Sequence, residues 1–163
     1  MMTWLGHWED VINNFDFLME GLAITIKLAF ISILGSLIIG TLLGITRYIK
    51  IQPFSFIAAA FIETIRSIPL VLFIVFVHFG FLPYIVGINA SFFVSSYVAL
   101  TVFTSAYVAE IIRGGFLSIE KGQIEAAISL GLTRWQRLKF IILPLAFQRM
   151  MPALVSQFIT LIK

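Results

Sequence analysis

The sequence predicts an all-α fold, a multi-pass transmembrane helical bundle, and three observations carry that prediction. Of 163 residues, 60% are hydrophobic and 12% are charged, with a mean hydropathy of +1.05; a soluble domain carries about a quarter charged residues. Nineteen uncharged residues separate Lys27 from Arg47. As a helix they span roughly 29 Å at about 1.5 Å per residue, close to the roughly 30 Å hydrocarbon core of a bilayer. Another 43 uncharged residues run from Ser67 to Ala109, and GFLPYIVGINAS at 80–91 interrupts them. That tract is too long for one crossing, and its Gly, Pro and Asn punctuation divides it into two joined by a short loop.

Taken in order, the expected elements are an extracytoplasmic segment at 1–20, spans at about 22–46, 67–87 and 91–112, a hairpin at 114–145, and a fourth span at 150–163. The opening MMTWLGHWED has no basic-then-apolar layout of a cleaved leader, so the mature chain is expected to begin there. The last apolar run, MMPALVSQFITLI, has 13 residues. A crossing needs about 17, so this span is read as incomplete and the chain as cut short at its C-terminus.

Charge placement orients these spans. Residues 1–20 hold Glu9, Asp10, Asp16 and Glu20 with no Lys or Arg, whereas Arg47, Lys50 and Arg66 follow the first span. Loop 80–91 is uncharged, and 110–149 carries Arg113, Lys121, Arg134, Arg137, Lys139 and Arg149. Because basic segments stay cytoplasmic, the N-terminus is expected outside and the hairpin inside the cell. The net charge of +3 matters through this distribution. With no cysteine, a disulfide framework and a thiolate metal site are both excluded.

Within the spans, Ser36, Gly40 and Gly44 recur every fourth residue, a stripe that lets another helix approach closely. Lys27 lies near the outer end, where its stem can snorkel to the interface. His78 reads as an interfacial packing residue. Glu63 with Arg66, and Glu110 with Arg113, stand three apart and are expected to pair along one helix face at the inner boundary. They are structural clamps, or one of them faces a pathway and meets a zwitterionic substrate.

The stretch GQIEAAISLGLTRWQRLKFIILP at 122–144 reads as a helical hairpin. Ser118 is expected to cap its first helix, along which Ile119, Ile124, Ala127, Ile128 and Leu130 recur, and Gly131 supplies a left-handed stop. Thr133 and Gln136 have capping-box spacing, opening a second helix with Trp135, Leu138, Ile141 and Ile142 on its apolar side and Arg134, Arg137 and Lys139 opposite. Pro144 is expected to limit that helix. Three uses fit: a helix-turn-helix that reads DNA, an amphipathic connector on the bilayer surface, or a cytoplasmic knob that transmits a partner's motion.

The third use gains from a resemblance. Glu125, Ala126 and Ala127, three residues, Gly131, nine residues, Ile141, one residue, then Leu143 and Pro144 resemble the EAA signature of permease subunits of binding-protein-dependent ABC importers. GLAITIKLAFISILGSLIIGTLLG at 21–44, ETIRSIPLVLF at 63–73 and SAYVAEIIRGGFLSIEKGQIEAA at 105–127 are similar to the polar amino acid branch, which includes histidine, glutamine and arginine permeases. That branch usually reads RGTPL where this chain has Arg66, Ser67, Ile68, Pro69 and Leu70.

The resemblance implies that 21–163 is an ABC transmembrane type-1 permease domain in the cell membrane, importing polar amino acids. Gly122, Glu125, Ala126, Ala127, Gly131, Arg134, Ile141, Leu143 and Pro144 would form its coupling hairpin. The implied partners are an ATP-binding subunit, a second permease subunit of the same or a different kind, and an extracytoplasmic amino acid-binding protein, with no nucleic acid. ATP and Mg would sit on the ATP-binding subunit and no cofactor on this chain. Consistent with that, no GxxxxGK[ST] phosphate loop occurs, and no nucleophile-base pair or metal-ligand set can be assembled from the sequence. Relatives in this family continue beyond the position of Lys163. The residues do not say which amino acid is carried. A membrane-tethered DNA regulator and an inert scaffold remain the competing readings.

Overall fold

The computed structural model describes residues 11–163, which form helices and turns and no strand. Helix α1 (Phe15–Ile49) has 35 residues, extends past the expected span at both ends, and stops at Lys50, whose φ of 59° is left-handed. A turn containing a cis Gln52–Pro53 bond leads to α2 (Phe54–Ser67). Helix α3 (Leu70–Phe76) continues as a π-helical stretch, Val77–Val86. Next come α4 (Phe92–Leu117), α5 (Lys121–Ser129) and α6 (Arg134–Arg137), the last passing through a π-helical turn at Leu138–Ile142 into α7 (Leu143–Ile162). The acidic Glu9 and Asp10 of the expected outer segment lie outside the described residues.

Among the described residues, three helical stretches are long and apolar enough to cross a membrane, namely α1, α4 and 134–162, and α2 with 70–86 forms a pair bent by 107°. At the place of the crossing expected at 67–87 the helix starts at Leu70, and α2 precedes it as a helix that the sequence pattern does not place. Pro69 makes the break, since it offers no N–H and its ring disfavours a helical Ile68, which is extended at φ −93°, ψ 132°. The ladder resumes with the Phe73 N–H donating to the Pro69 carbonyl at 3.0 Å.

The expected stop at Pro144 is also corrected, because the helix continues to Ile162. Leu143 donates its N–H to Leu138, five residues back, so the widened π turn accommodates the donor that Pro144 lacks. Pro83 lies in the other π-helical stretch.

Neighbouring positions give the helix directions. Gly35 lies beside Thr101, Gly40 beside Ser105 and Val108, and Gly44 beside Ala109 and Ile112, so α1 and α4 are parallel. Phe73 meets Phe103 and His78 meets Ser95, so α3 runs opposite to α4. Gly115 touches Ala146 and Met150, while Leu154 packs with Val108 and Ile112, so α7 is antiparallel to α4 as well. The connection between α4 and α7 thus lies at the same end of the bundle as the C-terminus of α1.

The α1–α4 seam follows from small residues. Ala29, Ser32, Ser36, Gly40 and Gly44 are the buried positions of α1, and from α4 Thr101, Ser105, Val108, Ala109 and Ile112 close on its glycines. A Cβ on Gly40 would stand 2.6 Å from Val108 and 2.8 Å from the Ser105 carbonyl, so glycine is required there by the closeness of two backbones. Ser36 and Ser105 donate their hydroxyls to carbonyls of their own helices, at 2.9 and 2.7 Å. The outward faces carry Leu34, Ile38, Leu42, Val71, Leu72 and Phe147, all exposed, as suits a surface solvated by lipid.

Candidate functional site: a capped hairpin above a layer of charge

The connection between α4 and α7 is a hairpin with a set angle. Ser118 corrects the expected start: it ends α4, its N–H bonding the Gly114 carbonyl at 2.9 Å, and α5 begins after Glu120 without a side-chain cap. At the tip the Leu132 N–H reaches the Ala127 carbonyl at 3.1 Å and the Gly131 N–H reaches Ile128 at 2.9 Å. With Gly131 at φ +74°, this is a Schellman stop. The requirement at Gly131 is conformational, since a Cβ there would meet nothing within 4 Å. Thr133 and Gln136 then complete a reciprocal capping box at 3.3 and 2.8 Å.

The predicted site residues divide by exposure. Gly122, Glu125, Ala126, Gly131, Arg134, Leu143 and Pro144 are exposed, Ile141 is half-buried, and Ala127 is buried at 3%. Of the two alanines, only Ala126 faces outward. Ile128, Leu130 and Trp135, which periodicity had put on the inner apolar sides, are instead 52%, 80% and 77% exposed. Helices this short, nine and four residues, do not enclose a core between them.

The roots of the hairpin are tied together. The Arg149 guanidinium on α7 donates to the Ser118 carbonyl, and Gly115 lets Met150 approach to 3.1 Å of where its Cβ would be. Beneath the roots lies a layer of charge. Arg113 holds Glu110 through a 2.8 Å bond and two of 3.2 Å, the expected pair along α4. Arg47, at the end of α1, also bonds Glu110 and lies 3.6 Å from Glu63 of α2. The expected Glu63–Arg66 pair is therefore corrected. Arg47 projects between α2 and α4 and engages Glu63, while Arg66 rests its guanidinium 5.0 Å from the Tyr107 ring centre. The sequence marks Arg47 as a span boundary and an orienting charge, with no partner for it. The one signal for its role was its position, at the first charge after a span, where other helix ends carry carboxylates.

Comparison with known proteins fits this geometry. Residues 36–163 match the family described as "Binding-protein-dependent transport system inner membrane component". The chain belongs to that family. It is 48% identical over 99% of its length to the Bacillus subtilis (strain 168) protein named "Probable glutamine ABC transporter permease protein GlnP", spanning 72% of that protein. It is 38% identical over 94% of its length to the "Glutamate/aspartate import permease protein GltK" of Escherichia coli O6:H1 (strain CFT073), spanning 71% of it. Among solved structures, a chain of "Crystal structure of an amino acid ABC transporter with histidines" matches 99% of this chain and is covered over 73%, with 31% identity and a TM-score of 0.87.

This binding-protein-dependent transport component is accordingly an all-α type-1 permease subunit of an ABC transporter, a multi-pass protein of the cell membrane. It is not an enzyme, and ATP hydrolysis belongs to a separate subunit. Its family implies partnership with an ATP-binding subunit and a substrate-binding protein. The DNA-reading alternative finds no support here: the four-residue α6 merges into a membrane helix, leaving no free recognition helix. At the opposite end of this permease, the Lys27 ammonium stands 5.7 Å from the Phe93 ring centre. His78 stacks on Phe92 at 4.0 Å and bonds Ser95 at 2.8 Å, which gives it a packing role.

Proposed function

We infer that this permease is the membrane subunit of an importer of polar amino acids and that its hairpin is where an ATP-binding subunit docks. The observation carrying this reading is the exposed apolar tip, Ile128, Leu130 and Trp135, on a doubly capped turn beside Glu125 and Arg134. Exposed aromatic and aliphatic anchors with charges around them are the composition of a protein interface. The substrate class is supported by the relatives, named for glutamine and for glutamate/aspartate.

In this reading the N-terminus is extracytoplasmic and the hairpin cytoplasmic, in keeping with the basic residues clustered from Arg113 to Arg149. A pair of permease subunits encloses the path, and a binding protein delivers the amino acid. ATP with Mg, on the partner, draws two ATPases together; the hairpins follow, and the spans alternate between outward and inward openings. Gly122, Glu125, Ala126, Gly131, Arg134, Leu143 and Pro144 belong to the exposed coupling hairpin, while Ala127 and Ile141 seat it on the bundle. The test is disulfide crosslinking from an Ala126→Cys variant to a cysteine-bearing ATPase subunit in membranes. Capture is expected, with the position labelled by a thiol reagent only from the cytoplasmic side. Labelling from outside, or no capture, refutes the docking role.

A further inference from the structure

The elbow between α2 and α3 has features that the hairpin reading leaves unexplained. Its backbone breaks at Ile68 and Pro69 within a bend of 107°, and Arg66, Ser67 and Pro69 are exposed. Irregular backbone at membrane depth is tolerated where it is buried in protein or lines a watery cavity, and broken helices of this kind line substrate paths in transporters.

Arg66 sharpens the point. Arg47 and Arg113 are both bound to carboxylates, but among the described residues no carboxylate lies within ion-pair reach of Arg66. Its guanidinium lies over Tyr107, three residues nearer the bundle centre than Glu110, which is about 4.5 Å along the helix. A charge at that depth facing lipid is costly, so it faces water or a ligand. Beside it, one turn back on the same face of α2, Glu63 is 72% exposed and held only by Arg47 at 3.6 Å. Positions three apart bring side chains about 5–6 Å from each other at Cβ. An exposed cation and an exposed anion at this spacing, not paired with each other, match the two charges of an amino acid backbone.

The geometry points to a zwitterion site at the inner mouth of the path. There Arg66, with the Tyr107 phenol beside it, receives the α-carboxylate, and Glu63 receives the α-ammonium. The site reads the part common to all amino acids and leaves side-chain selection to other groups. This inference rests on the importer reading above. Guanidinium-carboxylate contact is bidentate and short, so lysine at 66 is an incomplete substitute.

The test uses the complete transporter in proteoliposomes, supplied with loaded binding protein and radiolabelled L-glutamine, L-glutamate and L-arginine in turn. For whichever label the wild type accumulates, Arg66→Gln is expected to cut uptake at least tenfold. ATPase stimulation by the loaded binding protein should stay within twofold, because the hairpin is untouched. Arg66→Lys should recover uptake to within about threefold of wild type, and Glu63→Gln should lower it three- to fivefold. Direct binding of the label to the permease–ATPase complex, without binding protein, should weaken in parallel. Uptake by Arg66→Gln above half the wild-type rate overturns the site. So does loss of a subunit from the Arg66→Gln complex on size exclusion, which would make Arg66 an assembly contact. Failure of the wild type to accumulate any of the three labels overturns the importer reading itself, a result distinct from wild-type uptake with a silent Arg66.

Discussion

The α1–α4 seam and the hairpin dispose of side chains by opposite rules. In the seam, the smallest residues are the most buried, and the large apolar ones point away to lipid. In the hairpin, which the proposed topology puts in water, large apolar side chains also point outward, Leu130 and Trp135 foremost. The same outward Leu means different things in the two places. Lipid solvates the first at no cost, whereas water leaves the second unsatisfied until a protein covers it. Exposure of an apolar residue is thus evidence for a partner only where the local solvent is water.

The comparison breaks most severely at Gly40. Gly40→Leu places a Cβ 2.6 Å from Val108 and against the Ser105 carbonyl, which is backbone and cannot yield. The expected cost is about 3 kcal/mol or more, read as loss of monodisperse permease after extraction. Gly21→Leu, on the same helix with nothing within 4 Å, should leave that yield unchanged.

Trp135→Ala probes the other rule. Its side chain supports no core, so thermal stability of the isolated permease should move by less than about 0.5 kcal/mol. Docking of the ATP-binding subunit should weaken by about 2 kcal/mol, roughly 30-fold, in a titration of the two components. Undiminished affinity would mean that the exposed tip is idle.

The smallest effect is expected at Gly131→Val. A β-branched residue at φ +74° costs about 1–2 kcal/mol, confined to the turn. The spans should melt as in wild type. Transport per ATP hydrolysed should fall, because in the proposed docking role the angle between α5 and α6 sets the direction of transmitted motion. Wild-type transport in this variant would separate the turn from coupling.

Much of the hairpin was legible beforehand because its devices are local. A capping box needs Thr133 and Gln136 three apart, and a Schellman stop needs glycine at one position, whatever the rest of the chain does. The Ser36, Gly40, Gly44 stripe was legible for a related reason: the α-helical period sets which residues share a face. Ser118 and Pro144 were misread because their local preferences yielded to context. The first was absorbed by the longer α4, the second accommodated by the π turn before it.

What the sequence by itself determined is therefore everything carried by composition and short spacing: lipid as solvent, helices as elements, the stripe that packs, and the Glu110–Arg113 pair one turn apart. Only the tertiary structure decided that Arg47 joins Glu110 and Glu63, that Arg66 is left over Tyr107, and that α2 meets α3 at a sharp elbow. The reason is that a charge chooses its partner by distance in space. Arg47 and Glu110 are 63 residues apart in the chain and become neighbours only when parallel helices close on their glycines.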